Sequence, residues 1–250
     1  MANTFFDPGD QRAAKVQDLF ARIAPRYDQI NDLQSFGLHR YWKRRVIRLA
    51  RPEPGQRALD LCCGTGDLAL ALARRGAQVA GLDFSEPMLA AARSRKFQVQ
   101  SEAKSAPPGF VRGDAMRLPF SDNAFDVVTV GYGLRNLARW EAGLEEMQRV
   151  AKPGGRLLVL DFGKPDNAVW RSLYFGYLKL FVPWLGLIFC GNAGAYAYIL
   201  ESLKHYPAQH AVAAKMRELG LINLRTIALL GGAMSINYGE KAKTRIPNMA

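Results

Sequence analysis

A glycine-rich loop between an apolar strand and an apolar helix constrains the fold of this chain more than any other feature of its sequence. The stretch Ala58–Cys62 predicts a buried strand, Gly64-Thr65-Gly66 forms the loop, and the leucines and alanines of Leu68–Ala73 predict the helix. Small residues in such a loop let the backbone approach a ligand at the N-terminus of the helix. A strand–loop–helix unit of this kind is a building block of α/β sheets.

The alternation of strands and helices continues along most of the 250 residues. Strands are predicted at Gln78–Leu82, Phe110–Arg112, Phe125–Val130, Arg156–Leu160, Leu224–Leu229 and Ala233–Tyr238, and helices at Pro87–Arg95, Glu141–Val150 and Ala208–Leu219. Two helices are predicted before the first strand, one around Val16–Ile23 that ends at Pro25 and one at Leu38–Ala50. We therefore predict an α/β fold, with a mostly parallel sheet that carries helices on both faces.

The stretch Ala168–Tyr206 interrupts this alternation and contains ten aromatic residues. It is predicted to be helical, and so many aromatic side chains favour a lid over an apolar ligand, with plain core packing as the alternative. Between Leu180 and Leu200 no residue is charged, but only Leu180–Cys190 is densely apolar. A bilayer span needs about 20 apolar residues. We predict a buried or membrane-touching cap and no transmembrane helix.

The charge balance points to an anionic partner. Lys and Arg number 34 against 22 Asp and Glu, for a net charge of +12. Six basic residues without an acid lie between positions 40 and 51: Arg40, Lys43, Arg44, Arg45, Arg48 and Arg51. No nucleic-acid-binding motif accompanies them, so we predict peripheral contact with an anionic membrane surface and no nucleic-acid partner; a solvated helix face is the alternative.

Cysteine usage and the N-terminus favour the cytoplasm. Cys62, Cys63 and Cys190 are expected to be reduced and mostly buried, because their spacing fits neither a disulfide framework nor a zinc site. The first residues show no basic segment followed by an apolar stretch, so no secretory signal is predicted. No metal site is predicted.

Three aspartates lie at the ends of successive predicted strands: Asp60, Asp83 and Asp114. Acids at three strand ends suit a cationic adenosyl ligand without phosphates, and S-adenosylmethionine, with its sulfonium and ammonium, is that ligand. Asp83 is placed to accept both ribose hydroxyls, and Asp114 to bind the adenine amino group. The pattern Gly64-x-Gly66-x-x-Ala69 also fits a dinucleotide fingerprint, so an NAD(P)-dependent oxidoreductase is the competing class.

At this point the sequence resembles the ubiquinone/menaquinone biosynthesis C-methyltransferases, which are class I S-adenosylmethionine-dependent methyltransferases. The resemblance covers roughly residues 14–241. The matching stretches are Ile23–Asp28 with Asn31, Gly37–Arg40 with Trp42-Lys43, Leu59–Asp67, Gly81–Leu89, Gly113–Phe120, Asp122–Asp126, Tyr132–Asn136, Arg149–Gly155, and Tyr196–Leu203 with Tyr206-Pro207.

The resemblance implies a Rossmann-like, seven-stranded sheet whose last strand is antiparallel. It also implies a single domain over residues 1–250, with N-terminal helices at 1–51, a cofactor-binding core at 52–167, a helical cap at 168–207 and the last helix and strands at 208–241. The predicted S-adenosylmethionine contacts are Asp60, Gly64, Thr65, Gly66, Asp83, Met88, Asp114, Ala115 and Gly131. Gly131 and Gly163 depart from the Ser that relatives more often carry.

The implied reaction is methylation of a ring carbon of a polyprenylated quinol. Demethylmenaquinol, or a phylloquinone precursor, is the favoured acceptor, and a methoxy-polyprenyl-benzoquinol or another small molecule is the alternative. A non-catalytic scaffold of quinone biosynthesis is a rival of another class. Sequence leaves the oligomeric state open, a homodimer included.

The predicted catalytic residues are Arg135, Asn136 and Tyr27. Arg135 and Asn136 follow the fourth strand at the ligand-binding edge of the sheet, where Arg135 would stabilise a quinolate and Asn136 would orient a water. Pairing of Arg135 with a local carboxylate is the structural alternative. Tyr27 is predicted to close the site, with helix packing as the alternative. For His39 we favour a surface or structural role, because repulsion from its basic neighbours would lower its pKa.

Overall fold

Seven strands form one mixed sheet in the computed structural model, which describes residues 12–99, 106–190 and 193–243. The strands are β1 (Arg57–Leu61), β2 (Gln78–Asp83), β3 (Gly109–Arg112), β4 (Phe125–Gly131), β5 (Ala151–Phe162), β6 (Leu221–Leu229) and β7 (Met234–Lys241). Their order is β3-β2-β1-β4-β5-β7-β6, and β7 pairs antiparallel with both neighbours while the other pairs are parallel. The predicted seven-stranded sheet is thus confirmed. Strand order reverses beside β1, and ligands bind at such a switch point.

Helices precede, separate and cap the strands. Within the described residues they are α1 (Arg12–Ile23), α2 (Tyr27–Ser35), α3 (Leu38–Ala50), α4 (Asp67–Arg74), α5 (Glu86–Val99), α6 (Trp140–Val150), α7 (Ala168–Cys190), α8 (Ala193–His205) and α9 (Ala208–Glu218). The sequence did not predict α2. It is mostly polar and buries only Ile30, so its apolar periodicity is weak.

The start of β5 corrects one prediction. The turn Pro153-Gly154-Gly155 was expected to separate α6 from a strand beginning at Arg156, but β5 begins at Ala151. The pairing with β4 jumps from Ala151 to Arg156, so the turn residues form a bulge inside the strand. Gly154 adopts φ +79, which a glycine tolerates and most residues do not.

Apolar side chains cover both faces of the sheet. Leu157 and Val159 of β5 belong to one buried cluster, and Leu158 and Leu160 belong to a second. Because successive side chains of a strand point to opposite faces, the two clusters lie on opposite sides of the sheet. Helices α6 and α9 contribute to the first cluster, and α3 and α4 to the second.

The predicted cap is a pair of packed helices, α7 and α8, and α7 also contacts α2. Within the described residues, no helix combines the length and the apolar character that crossing a bilayer requires. The thiols of Cys62 and Cys63 are free, as expected, whereas the side chain of Cys190 and the N-terminal residues 1–11 lie outside the described residues.

Candidate active site

A cavity of about 110 Å³ opens at the carboxyl ends of β1, β2 and β4, where the cofactor was predicted to bind. Six of the predicted cofactor contacts line it: Gly64, Asp83, Met88, Asp114, Ala115 and Gly131. Sequence reasoning missed the rest of its wall, which includes Val16, Gln17 and Phe20 of α1 and Ser85 after β2. The hydroxyl oxygen of Ser85 is buried and has no hydrogen-bond partner among the described residues. A polar adenosyl ligand in this cavity would satisfy it.

Asp83 binds the glycine-rich loop to the end of β2. One carboxylate oxygen accepts the Gly64 N–H at 2.8 Å, and the other accepts the Ser85 N–H at 2.8 Å. Burial raises the pKa of Asp83, while these backbone bonds favour its ionised form. Phe84 also contributes a backbone hydrogen bond, so the carboxylate keeps part of its acceptor capacity, and its bonds to a ribose diol stay a prediction.

The two loop glycines serve different purposes, and this corrects the prediction for Gly66. A Cβ at Gly64 would make only an ordinary contact, 4.0 Å from the Tyr27 Cε1, so this glycine leaves room on the side that lines the cofactor cavity. A Cβ at Gly66 would instead lie 3.1–3.3 Å from the Phe110 ring and the Ala92 Cβ. Gly66, with φ +85, therefore permits close packing of α5 and β3 against the loop and does not line the cofactor cavity.

Asp60 and Thr65 line a small adjoining cavity of about 20 Å³. Asp60 is buried, and its carboxylate accepts the Thr129 hydroxyl at 2.7 Å and the Ala69 N–H at 3.1 Å. Burial raises the pKa of Asp60 to about 7. The Thr65 hydroxyl donates to Asp28 at 2.9 Å. Both residues are thus engaged within the protein, and their predicted contacts with S-adenosylmethionine remain predictions.

The structure gives a steric reason for the glycine at position 131. A Cβ there would lie 2.9 Å from the Leu68 Cδ1, so a serine requires Leu68 to move. Gly163 is more tightly constrained, because its Cβ would meet the Gly232 carbonyl oxygen at 2.3 Å. The two departures from the serine of relatives are therefore matched to the packing of this chain.

A second, larger cavity of about 310 Å³ lies between the N-terminal helices and the cap. Its wall is mostly apolar and aromatic, and it includes Ile23 and Ile30 together with Tyr174, Leu178 and Val182 of α7. This arrangement supports the predicted lid over an apolar ligand. Three aromatic residues line both large cavities and form the boundary between them: Phe20, Tyr27 and Tyr132. Any group that passes from one cavity to the other crosses this boundary.

Unpartnered polar atoms concentrate around the larger cavity. Among the described side chains, eight buried nitrogen or oxygen atoms lack a hydrogen-bond partner, and six of them belong to residues that line it: Asn31, Gln34, His39, Tyr132, Arg135 and Tyr174. Buried polar groups normally have partners, so such a cluster indicates a bound polar group. An apolar cavity with a polar lining at a few points suits a ring with hydroxyls and a hydrocarbon tail.

Arg135 is a buried cation on the wall of that cavity. It donates to Asp161 at 2.9 Å, as the structural alternative anticipated, and its guanidinium lies 4.5 Å from the Phe162 ring centroid. Burial opposes its charge, but Asp161 together with Tyr198 and Tyr27 outweighs burial, so the pKa of Arg135 is raised. The Nε atom remains without a partner. Arg135 is therefore both a structural ion pair and a charged group available to a ligand.

Asn136 lines the cofactor cavity and Tyr27 lies between the two large cavities, and their catalytic roles stay predictions. The Asn136 amide donates to the Tyr132 carbonyl at 3.1 Å and accepts the Tyr198 hydroxyl at 3.1 Å, which links the cofactor cavity to the cap. Tyr27 lines both large cavities and the small one. Burial raises its pKa to about 12, so its hydroxyl stays protonated at neutral pH.

His39 is buried, which excludes the surface role that the sequence allowed and leaves the structural role open. It is 3% exposed and lines the larger cavity. Its Nε2 lies 2.8 Å from an Asp32 carboxylate oxygen, while Nδ1 is buried without a partner. Its pKa is lowered, as predicted, but burial is the main cause and repulsion from Lys43 is a smaller one.

An ion-pair network binds α2 to the loop and so holds Tyr27 in place. Arg95 contacts Asp28 at 3.1 Å and Asp67 at 2.6 Å, and Asp67 also contacts Lys43. Arg40 pairs with Asp32 in the same way. Acids outside the basic segment thus neutralise two of its cations, which the sequence did not reveal.

The comparisons with known proteins agree with this geometry. The model of the ubiE/COQ5 methyltransferase family matches residues 9–241. A demethylmenaquinone methyltransferase from Thermus thermophilus is 44% identical over 89% of this chain and 100% of the relative. A demethylmenaquinone methyltransferase from Desulfitobacterium hafniense is 41% identical over 94% of this chain and 93% of the relative. A ubiquinone/menaquinone biosynthesis C-methyltransferase from Azotobacter vinelandii is 39% identical over 94% of this chain and 92% of the relative.

Solved structures share the fold at lower sequence identity. The crystal structure of magnesium protoporphyrin IX methyltransferase from Synechocystis, with bound SAH, has a TM-score of 0.65 at 19% identity and covers 92% of this chain and 100% of that one. A possible histamine N-methyltransferase from Thermotoga maritima has a TM-score of 0.61 at 19% identity, over 90% and 99%. These likenesses establish the class I methyltransferase fold.

Proposed function

The chain belongs to the ubiE/COQ5 methyltransferase family, and from that premise we propose that it transfers a methyl group to a ring carbon of demethylmenaquinol. It is an S-adenosylmethionine-dependent C-methyltransferase, so neither the oxidoreductase nor the non-catalytic alternative holds. The single observation that carries the choice of acceptor class is the apolar cavity with its cluster of unpartnered polar atoms.

The acceptor ring binds where the two large cavities meet. Quinol hydroxyls would pair with the unpartnered groups around Arg135, and the prenyl tail would run along the apolar wall between α2 and α7. Two of the relatives cited above are named for demethylmenaquinone, whose reduced form is a naphthoquinol. A benzoquinol, the alternative, has the same pair of hydroxyls and a prenyl tail.

The donor binds in the cavity at the end of β1 and β2, where it supplies an electrophilic methyl group on its sulfonium. Asp83 holds the ribose, and Asp114 and Ala115 hold the adenine. Methyl transfer needs alignment of donor and acceptor and exclusion of water. Tyr27 and Tyr132 provide the boundary across which the two reactants meet, and the cap covers the acceptor side.

Arg135 stabilises the negative charge that develops on the quinol ring when a hydroxyl loses its proton. A fixed cation in a water-poor cavity acts strongly on such charge. Asn136 orders the neighbouring backbone and the Tyr198 hydroxyl, and we assign it the task of orienting a water beside the reacting groups.

The protein works at the inner face of a membrane, without crossing it. Support comes from side chains that line the acceptor cavity and are also exposed, namely Phe36, Leu38, Trp170, Leu173 and Leu230. They form an apolar mouth through which a lipid-tailed substrate would enter from the bilayer. Arg44 and Arg48 lie one and two turns from the exposed Tyr41 on α3, facing the same side.

Product analysis tests the proposed acceptor. The purified protein is incubated with S-adenosylmethionine and, in parallel, with a short-chain demethylmenaquinol and a short-chain methoxy-benzoquinol, under reducing conditions. We expect a mass gain of one methylene on the naphthoquinol ring. Turnover of the benzoquinol alone would replace the proposed acceptor by the alternative, and turnover of neither would refute both.

A further inference from the structure

Among the described side chains that line the acceptor cavity, the imidazole of His39 is the one that is neutral and able to act as a base. Among the six unpartnered groups on its wall, the others are the two amides of Asn31 and Gln34, two tyrosines and an arginine. Amides are not bases, and burial raises the pKa of Tyr132 and Tyr174 so that both stay protonated. Arg135 already carries its proton.

The surroundings of His39 fix which ring nitrogen is free. Arg40 donates two hydrogen bonds to Asp32, at 2.7 and 2.5 Å, and chiefly through them lowers the pKa of that carboxyl to about 2. Asp32 is therefore ionised at neutral pH and only accepts hydrogen bonds. The His39 Nε2, at 2.8 Å, must donate to it, which leaves the lone pair on Nδ1.

We propose that His39 is the proton acceptor of this methyltransferase, with Asp32 as its positioning residue and Arg40 holding Asp32. The inference rests on the proposed quinol acceptor and names the base that the reaction needs. Enzymes often place a base between the group that loses a proton and a carboxylate that orients the base. Here the quinol hydroxyl is the group that loses the proton, His39 is the base and Asp32 is the orienting carboxylate.

The proton balance of this step is complete. The quinol O–H bond breaks and an N–H bond forms at Nδ1, so His39 becomes an imidazolium and the ring becomes an anion facing Arg135. The ring carbon then bonds to the methyl group while the S–CH3 bond of the sulfonium breaks and leaves its electron pair on sulfur, and the ring carbon still carries its hydrogen. That hydrogen leaves to water as a proton, and the imidazolium returns its proton to the ring oxygen. His39 ends neutral, and one proton is released for each methyl group transferred.

The neighbours of His39 keep it neutral before the reaction. Burial lowers its pKa and Lys43, on the same helix, acts in the same direction, whereas Asp32 on α2 and Asp67 on α4 act against them. Other titratable side chains of the cavity wall are Tyr27, Tyr132, Arg135, Tyr174, Tyr177 and Tyr198. A neutral imidazole beside a quinol hydroxyl accepts a proton, and an ionised carboxylate behind it stabilises the cation that forms.

Two variants and one matched control test the proposal. His39→Gln retains an amide that can bond to Asp32 but is no base, and His39→Ala leaves space for added imidazole. We expect both to lower kcat by about 10²-fold or more, with S-adenosylmethionine affinity within about twofold of wild type. His210, which lies 2.8 Å from Asp166 on the surface, provides the control: His210→Gln should leave kcat unchanged.

Three readouts separate a base from a structural role. The wild-type rate should fall as pH drops, because the His39 imidazole becomes protonated and no longer acts as a base. In both variants the pH–rate profile should lack this fall at acidic pH. Imidazole should partly restore His39→Ala but not His39→Gln. Nitrogen-15 NMR of the wild type should show Nε2 protonated and Nδ1 unprotonated. A variant with normal kcat, an unchanged pH profile, no rescue or the opposite tautomer would overturn the proposal, whereas a wild type that does not methylate the quinol would refute the proposed function instead.

Discussion

At the scale of single residues, Asp83 has two tasks that can be separated by substitution. Its carboxylate accepts two loop N–H groups, and the same oxygens are placed to accept ribose hydroxyls. Hydrogen bonds to a charged group contribute about 1.5–3 kcal/mol. The loop bonds need only an oxygen acceptor, whereas tight ribose binding benefits from the charge.

We predict that Asp83→Ala weakens S-adenosylmethionine binding about tenfold or more in a protein that still folds. Asp83→Asn retains one oxygen acceptor for the loop, so its affinity for S-adenosylmethionine should lie between that of the wild type and that of Asp83→Ala. Isothermal calorimetry measures the affinity, and circular dichroism confirms folding. Asp166→Ala, at an exposed acid, is the control and should bind normally. Unchanged affinity in a folded Asp83→Ala protein would exclude the ribose contact.

Arg135 must be tested together with its partner. Removing it alone leaves the buried Asp161 carboxylate unpaired, a change that typically costs about 3–5 kcal/mol of stability. The double variant Arg135→Gln with Asp161→Asn removes both charges and retains a hydrogen-bonded pair. We expect it to fold and to bind S-adenosylmethionine normally, while kcat falls about 10²-fold because the quinolate loses its cation. A rate near wild type at saturating substrate would remove Arg135 from the mechanism.

At the scale of elements, packing between α4 and β4 decides what position 131 tolerates. We predict that Gly131→Ser lowers the free energy of unfolding by about 1–3 kcal/mol, because its Cβ would overlap the Leu68 side chain. Adding Leu68→Val should recover part of that loss. Urea unfolding of the wild type, the two single variants and the double variant measures the coupling energy between positions 68 and 131. Gly176→Ser, where a Cβ meets nothing within 4 Å, is the control. Additive effects at positions 68 and 131 would disprove the steric account.

The elements also show what sequence periodicity reveals and what it misses. The strands β1, β2 and β4 and the helix α3 have strong apolar patterns, and the structure places them where the sequence predicted. The helix α2 has one buried residue and was missed, and with it the contact between Asp32 and His39. The two residues are seven positions apart in a chain that turns between two helices, so no spacing rule identifies the pair. Likewise, the Arg135–Asp161 pair joins residues 26 positions apart.

The cofactor site was more predictable than the acceptor site for a topological reason. Parallel strands bring the residues after β1, β2 and β4 to one edge of the sheet, so their order in the sequence already indicates that they meet. Much of the acceptor cavity is formed by α1, α2, α3 and the cap, which meet only through tertiary packing. The sequence revealed its aromatic composition and two of its polar residues, Tyr27 and Arg135, but not the polar side chains of Asn31, Gln34 and Tyr174.

At the scale of the whole molecule, the exposed apolar mouth and the net charge of +12 act together. Arg40 and Lys43 are neutralised by Asp32 and Asp67, so Arg44 and Arg48, both exposed, are the better candidates for contact with an anionic surface. Each basic residue near such a surface contributes about 1 kcal/mol. Trp184, Leu187 and Ile188 of α7 are more than half exposed and would insert into the interface.

We predict that the protein floats with anionic vesicles at low salt, and that high salt releases most of it because charge attraction is screened within a Debye length. Binding to neutral vesicles should be much weaker. Trp184→Glu with Leu187→Glu should reduce binding at every salt concentration, whereas Arg44→Glu with Arg48→Glu should reduce only the salt-sensitive part. Ile222→Glu, at an exposed aliphatic residue of β6, is the matched control and should bind like wild type. Failure to bind anionic vesicles at low salt would leave the basic residues as a solvated helix face, and retention at high salt on neutral vesicles would contradict the electrostatic step.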